Sequence, residues 1–302
     1  MTLESANLSL ETVSNSLPFA AAPCLTAFPL GNESKAEALQ FLAARPLHTV
    51  VMSGLIIDNG LESELNRGTF YGQRNSVGAL EGVALIGHTT IIEARTDAAL
   101  RAFARVAQEF RRAHVIVGEQ ESVARFWSFY ASAGQPLRRL CRETLLELRE
   151  SPVLGNNAGN LRAANLKDLS LIVPAHAAMA CEESGVDPLQ VDPEGFRSRC
   201  RRRIEQGRVW VCVEDGKLIF KTDIISDTPD VIYLEGIYVR QADRGKGLGS
   251  LYLAHLAHTL LSRTSSISVL VNCERPRAMK FFQQFGFVSR SLYDTLYLQM
   301  KR

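Results

Sequence analysis

Apolar positions along this chain change period often enough to mark its elements one by one. In the C-terminal half, Leu161 to Leu166 reads as a short strand, and Leu169 to Glu183 repeats its apolar residues at helical spacing. A turn at Asp187-Pro188 follows. A second helix runs from Pro193 to Gln206, with proline at its start and Gly207 after its end. Val209 to Glu214 alternates as a strand, Asp215-Gly216 makes a hairpin turn, and Lys217 to Ile225 returns. Val231 to Val239 is a third strand. A glycine-rich loop leads into a helix over Ser250 to Ser262. Then come a strand over Ile267 to Val271, a helix over Pro276 to Phe285 stopped by Gly286, and two strands, near Phe287 and over Thr295 to Met300.

The N-terminal half repeats this rhythm more weakly. Lys35 to Ala44 reads as a helix. Strands are expected over Thr49 to Ile57, Thr69 to Gln73, Gly82 to Ile86 and Thr89 to Glu93. A helix over Asp97 to Arg111, a strand over Ala113 to Val117 and a helix over Ser122 to Ala133 complete it. Both halves show strands, a long helix, a strand and a helix that ends at glycine, which suggests a duplication. Between them, Glu150 to Asn160 holds Pro152, Gly155, Asn156, Asn157 and Gly159, all turn formers. The expected division is a leader over 1–20, one domain over 21–154 and a second over 155–302. The architecture is α/β, or α+β in layers.

Composition narrows the function classes. The 302 residues are 46% hydrophobic and 22% charged, as in ordinary globular chains, and the length suits two domains. A net charge of +2 gives no ground for a nucleic-acid partner. The six cysteines, Cys24, Cys141, Cys181, Cys200, Cys212 and Cys273, form no C-x-x-C pair, so no metal site and no disulfide framework is expected. Scattered cysteines fit a reducing compartment. No apolar run reaches the ~18 residues of a membrane span. Met1 to Pro18 has no lysine or arginine, so it lacks the basic start of a secretory signal, and the cytoplasm is the expected location.

The chemistry concentrates in Leu234 to Ser250, LEGIYVRQADRGKGLGS. A strand ends near Val239, alternate glycines follow at 245, 247 and 249, and a helix begins. Glycines allow close backbone approach, and a helix start offers unpaired N–H groups at a positive dipole end. Together they suit a diphosphate. A dinucleotide G-x-G-x-x-G is excluded because Ser250 stands where the last glycine is needed. A Walker A loop is excluded because Gly247, not serine or threonine, follows Lys246. The plain alternative is a flexible surface loop.

Three motifs in order decide against that alternative. Arg244, Gly247 and Gly249 resemble the Arg/Gln-x-x-Gly-x-Gly/Ala signature of the GNAT acyltransferase superfamily. Ile237-Tyr238-Val239 resembles the hydrophobic strand before it. Val271-Asn272, Ala278-Met279-Lys280-Phe281-Phe282 and Gly286-Phe287 resemble its Asn…Ala-x-x-Phe-Tyr…Gly-Phe block. The resemblance covers Leu161 to Arg302, and the whole chain looks like members with a GNAT-like N-terminal domain that lacks a CoA loop. Here Glu93-Ala94-Arg95-Thr96-Asp97 stands where that loop would be. The implied fold is two GNAT-like domains in tandem, each a mixed, mostly antiparallel sheet flanked by helices.

The resemblance implies an N-acetyltransferase that moves acetyl from acetyl-CoA to a primary amine by direct attack through a tetrahedral intermediate. Arg244, Gly245, Lys246, Gly247, Leu248, Gly249 and Ser250 would hold the CoA diphosphate. Ile237, Tyr238 and Val239 would pair with pantetheine, with Asn272 and Phe282 also against the cofactor. An amide on that strand would stabilise the oxyanion. An amine of pKa about 10.4 needs a base. Glu235, two residues before Ile237, is the first candidate and Asp223 on the neighbouring strand the second; a structural or solvent-facing Glu235 is the alternative. Phe282 departs from the family pattern, where tyrosine often serves as general acid. A thiol of pKa about 8.5 leaves tolerably without one, and Tyr293 or Tyr297 is a substitute that the sequence does not place.

Other features weigh less. Arg197, Arg199, Arg201, Arg202 and Arg203 read as a solvated helix face, with attraction of an acidic substrate as the alternative. His255 and His258 share a helix face but lack further ligands, so no metal is expected. Cys273 reads as a packing residue rather than an acyl carrier. A second functional class stays open, a non-catalytic acyl-CoA sensor; CoA binding without turnover separates it from the enzyme. The acceptor is not legible, and a homodimer is left open.

Overall fold

The computed structural model describes residues 26–154 and 159–299. The expected leader, Cys24, the domain boundary at 154/155 and the end of the last expected strand at Met300 lie outside the described residues, wholly or in part. The described residues fold around one mixed sheet of twelve strands.

The first half runs β1 (Phe28–Pro29), α1 (Lys35–Leu42), α2 (Pro46–Asn59), β2 (Gly68–Arg74), β3 (Leu80–Gly87), β4 (Thr89–Ala94), α3 (Asp97–Glu109), β5 (Val115–Glu119), α4 (Gln120–Tyr130) and β6 (Leu137–Leu148). The second runs β7 (Arg162–Ala163), α5 (Leu169–Ser184), α6 (Pro188–Val191), α7 (Pro193–Glu205), β8 (Val209–Glu214), β9 (Lys217–Asp227), β10 (Val231–Val239), α8 (Leu248–Leu261), β11 (Ser266–Asn272), α9 (Pro276–Phe285) and β12 (Val288–Leu298). The two halves repeat one order: a strand, helices, three strands, a helix, a strand, a helix, a strand.

Across the sheet the order is β1-β2-β3-β4-β5-β12-β6-β11-β10-β9-β8-β7. Exchanging each strand for its equivalent in the other half gives the same order read from the opposite edge, so the sheet has a pseudo-twofold centre between β12 and β6. Each half lends its last strand to the other: β12 pairs with β5, and β6 pairs with β11. The packing follows. Leu146 and Leu148 of β6 lie in the core beneath α8 with Leu253, Leu256 and Ile267. Leu296 and Leu298 of β12 lie in the core beneath α3 and α4 with Phe103, Phe126 and Tyr130. Among the described residues only β4–β5 and β10–β11 are parallel pairs, each joined by a crossover helix.

Five sequence expectations change. Thr49 to Ile57, expected as a strand, lies inside α2. Its run of apolar residues has no period to separate strand from helix, and Pro46 in the first turn with Gly60 at the end gives the helix its bounds. The run is apolar all round because α2 is covered on two sides. Met52 and Ile56 face the N-terminal core, while Val50 packs with Val231 and Tyr233 of β10. Second, β6 falls in a stretch to which the pattern assigned nothing. Its first half carries Arg138, Arg139 and Arg142 and only its second half is apolar. Third, the two expected final strands are one strand, β12, with an irregularity in its ladder between Ser289 and Ser291. The expected strand at Leu161 to Leu166 shortens to β7, and the Asp187-Pro188 turn opens α6.

Candidate active site

β10 and β11 pair only from Val231 opposite Ser266 to Leu234 opposite Val269. Beyond that β10 continues to Val239 and β11 to Asn272, so the two strands part at their carboxyl ends. Such a gap, beside the helix that follows the first strand, is where parallel sheets receive ligands. β10 also bulges there. Glu235 faces Asp223 and Tyr238 faces Lys221, so Gly236 and Ile237 together oppose Thr222.

The loop after β10 leads into α8 at Leu248, two residues earlier than its sequence predicts. Gly245 and Gly247 have φ of 80° and 78°, in the left-handed region that favours glycine, and a Cβ at either would meet nothing within 4 Å. Open space therefore lies over the loop. Gly249 differs: a Cβ there would come within 3.3 Å of Val239, so glycine lets the helix start close against β10. The first helical bond runs from Leu251 N–H to the Gly247 carbonyl, and no side chain caps the start. The amides of Leu248, Gly249 and Ser250 stand in the first turn, where helices leave N–H groups for a ligand. Asp243 braces the loop from below. It accepts from Arg240 and from Lys246 at 2.8 Å, and those two bonds hold its carboxyl down at about 2. Arg244 is tied by Nε to the Val239 carbonyl at 3.0 Å. A surface cavity of about 340 Å³ adjoins the helix start, lined by Ser250, Leu251, Ala254, Phe281 and Phe285 and flanked by Pro152.

The equivalent place in the N-terminal half is closed. β4 and β5 pair from Thr89 to Ile91 and then part in the same way. There the guanidinium of Arg45 spans the gap, reaching Glu93 of β4 at 3.2 Å and Glu119 of β5 at 2.6 Å. The start of α3 is capped by the Thr96 side chain, which accepts from Ala99 N–H, and carries Asp97 in its first turn. A capped, acidic helix start repels an anion.

On the α5 side of the β10–β11 gap, carboxylates gather from three elements. Glu235 comes from β10, Glu183 from the end of α5, and Glu143 from the exchanged strand β6, directly opposite Asn272 of β11. Burial, then the charges of Glu235 and Glu143, push Glu183 up to about 7. Burial and Glu235 raise Glu143 against a bond from Thr295 at 2.6 Å. Tyr233 donates to Glu235 at 2.8 Å, and its hydroxyl is raised well above the ordinary tyrosine value by burial and the same carboxylates. The hydroxyl of Tyr297 on β12, whose ring lies against His114 and Arg138, is raised by burial, Glu183 and Glu143. Tyr293 bonds to His48 at 3.0 Å in the other half.

Crowding of like charge has a measurable consequence. The raised Glu183 carboxyl favours the folded state below the unfolded carboxylate range and loses that benefit as pH rises through about 7. Glu183→Gln is therefore expected to melt higher than the parent protein at about pH 8 and no higher at about pH 4, by only about 1–2 °C because the residue as a whole keeps solvent access although its carboxyl is hemmed in beside Glu235 and Glu143. Thermal melts at the two pH values check this.

Asp223 is buried at 1% exposure. It accepts from Lys221 at 2.8 Å, lies 3.1 Å from His176 Nδ1 on α5 and 3.6 Å from Arg203 on α7. Burial alone would raise its carboxyl; Lys221 and His176 outweigh it and hold the group well below the usual carboxylate range. All three contacts fall on Oδ2 and Oδ1 has no hydrogen-bond partner, but the surrounding cations keep the carboxylate ionised, which makes it a poor proton acceptor. Phe282 turns inward, 8% exposed, with its ring 5.3 Å from Phe287 in the core. The phase of α9 instead brings Phe281 beside Gly249 and the cavity. Asn272 accepts from Glu274 N–H at 2.7 Å and donates to Cys141 Sγ at 3.1 Å, which ties the end of β11 to the exchanged strand. Ile237 and Val239 pack toward Tyr252 and Leu248 under α8, and Tyr238 faces α5 and α7. Of the arginine cluster, Arg199 pairs with Asp192, Arg202 donates to Asn59 and Arg203 faces Asp223, so part of it holds helices in place. His258 bonds to Ser151 at 3.1 Å. Among the described residues no three His, Cys, Asp or Glu side chains gather in a way that could hold a metal, and no helix is long and apolar enough to cross a membrane.

Residues 177–287 match the profile of the acetyltransferase (GNAT) family. Solved structures share the fold over most of the chain. A Drosophila protein aligns at a TM-score of 0.65 and 13% identity, over 91% of this chain and 99% of its own. A GCN5-related N-acetyltransferase from Sphaerobacter thermophilus aligns at 0.58 and 12%, over 91% and 96%. A tandem GNAT protein from the clavulanic acid biosynthesis pathway aligns at 0.55 and 14%, over 91% and 99%. No curated protein matches the sequence.

Proposed function

The chain belongs to the GNAT acetyltransferase superfamily, and on that footing we propose that it transfers acetyl from acetyl-CoA to a primary amine. The observation that supports this best is the uncapped start of α8 beside the parted ends of β10 and β11, with carboxylates gathered on the other side of the gap. A diphosphate fits the loop from Arg244 to Ser250, where N–H groups and open space coincide. The edge of β10 from Ile237 to Val239 receives the pantetheine arm as an added strand would be received. Phe281, rather than Phe282, lines the cofactor side, and Asn272 shapes the end of the gap.

In this reading the 155–302 half houses the cofactor. The 21–154 half, its own gap stapled by Arg45, supplies β6 and with it Glu143 to the acceptor side. Glu235 and Glu183 share the work of the base. Glu183, poised at about 7, takes a proton from the incoming ammonium near neutral pH, and the free amine attacks the thioester directly. The acidic surroundings favour an acceptor that arrives as a cation. Asp223 holds Lys221 and His176 and takes no proton. Tyr297, whose hydroxyl feels the charges of Glu183 and Glu143, is the general acid this reading assigns to the leaving thiolate. Thiol release from acetyl-CoA in the presence of a panel of primary amines tests the proposal; absence of turnover with every amine, despite cofactor binding, would contradict it.

A further inference from the structure

Among the described residues Lys221 is the one lysine that is completely buried, at 0% exposure, and it lies beneath the β10 bulge. On β9 it follows Phe220 and precedes Thr222 and Asp223, with Ile219 and Ile224 buried nearby. A buried ion pair here does little for stability, since two charges removed from water recover at most about what they lose and an apolar pair would serve as well. What the lysine touches is more informative. Its Nζ donates to Asp223 at 2.8 Å and to the Gly236 carbonyl oxygen at 3.3 Å. Gly236 sits at φ 63°, and a Cβ on it would stand 2.7 Å from the same Nζ. The bulge and the lysine therefore specify each other.

A trans peptide directs its N–H opposite to its carbonyl, and the chain has no cis bonds among the described residues. The carbonyl of Gly236 and the N–H of Ile237 belong to one peptide unit. With the carbonyl turned to Lys221, the N–H points away from it. The bond also polarises the amide, which makes that N–H a stronger donor. Asp223 keeps the lysine from swinging off, and it is in turn held by His176, whose ring packs edge-on against Phe196 at 5.2 Å.

We propose that Lys221 is a positioning residue: by holding the Gly236 carbonyl it aims the Ile237 N–H into the gap beyond Leu234, where that N–H donates to the carbonyl oxygen of the bound thioester. This rests on the acetyl-CoA reading of the gap. During attack the thioester carbonyl gains negative charge, and a donor fixed beforehand stabilises that charge without rearrangement. Lys221 touches no reacting atom.

The test compares the full-length protein with Lys221→Met, using acetyl-CoA labelled with carbon-13 at the thioester carbonyl. Calorimetry gives affinity, and difference infrared spectra give the carbonyl stretch of the bound thioester. The parent protein is expected to lower that stretch relative to free acetyl-CoA. Lys221→Met is expected to bind with a Kd within about threefold of the parent but to lose most of the downward shift, and its amine-dependent turnover is expected to fall about tenfold to a hundredfold. A lysine that only supported the fold would alter melting and affinity without this split. If Lys221→Met does not fold, Gly236→Ala, which crowds the same contact from the other side, is measured in its place with the same expectation. Binding by the variant with the full parent shift overturns the role of the lysine and leaves the acetyl-CoA reading standing. Failure of the parent protein itself to bind acetyl-CoA overturns both.

Discussion

A fragment beginning at residue 159 is expected to be unfolded, although it contains the whole loop, the family-matching segment and every residue proposed to bind the cofactor. Such a fragment lacks β6. In the intact sheet β6 lies between β12 and β11, with ladder bonds on both sides. Leu145, Leu146 and Leu148 of that strand are no more than 3% exposed. Burial of each such side chain is worth about 1.5–3 kcal/mol, and net stabilities of domains are only about 5–15 kcal/mol. Removing three of them together with a central strand leaves no folded state. The N-terminal fragment 26–154 loses β12 and is expected to fail in the same way, while mixing the two fragments restores a cooperative melt. Circular dichroism on each fragment and on the mixture checks this. An independently folded 159–302 fragment would contradict the strand exchange.

The second large effect concerns the base. Glu235→Gln and Glu183→Gln are each expected to lower kcat/KM about 10²-fold or more with the best amine found. They should differ in their dependence on pH. With Glu183 pushed up to about 7, the parent protein must lose activity as pH falls through that value, because the carboxylate accepts a proton only when ionised. Glu183→Gln is expected to flatten this acid limb. A pH–rate profile of the variant with its limb unchanged near 7 would remove Glu183 from the mechanism.

The parts of the molecule that were legible in the sequence are those whose cause is local. The strand, loop and helix from Val231 to Leu261 announced themselves because glycines, apolar alternation and helical period follow one another within about thirty residues, and local chemistry sets each boundary. The repeat of the two halves was visible as rhythm. The exchange of β6 and β12 was not, because nothing in either strand says which half it will join; that is decided by the pairing of residues more than a hundred positions apart, such as Asn272 with Glu143. The same distance hid the group of carboxylates. Glu143, Glu183 and Glu235 meet only once β6 and the end of α5 are placed, so the sequence offered Glu235 alone. Asp223 was noticed for its strand, but its partners His176 and Arg203 come from α5 and α7 and were not legible. Lys221 two residues before it was a usable signal: a lysine and an aspartate on one face of an otherwise apolar strand must be paired if they are to be buried. Phe282 shows the limit of motif transfer. The motif places the aromatic pair correctly on α9, but helical phase decides which ring meets the core and which meets the cavity.

The central claim is that the loop from Arg244 to Ser250 holds the diphosphate of acetyl-CoA. Calorimetric titration of acetyl-CoA into the intact protein, beside the double variant Gly247→Asp with Gly249→Asp, tests it most directly. The new carboxylates would stand at the helix start, where an anion must approach, and the side chain at 249 would press on Val239. The account predicts saturable one-to-one binding to the parent protein and at least about a hundredfold weaker binding to the variant, with both showing a cooperative melt. No binding to the parent protein, or equal binding to both, would contradict it.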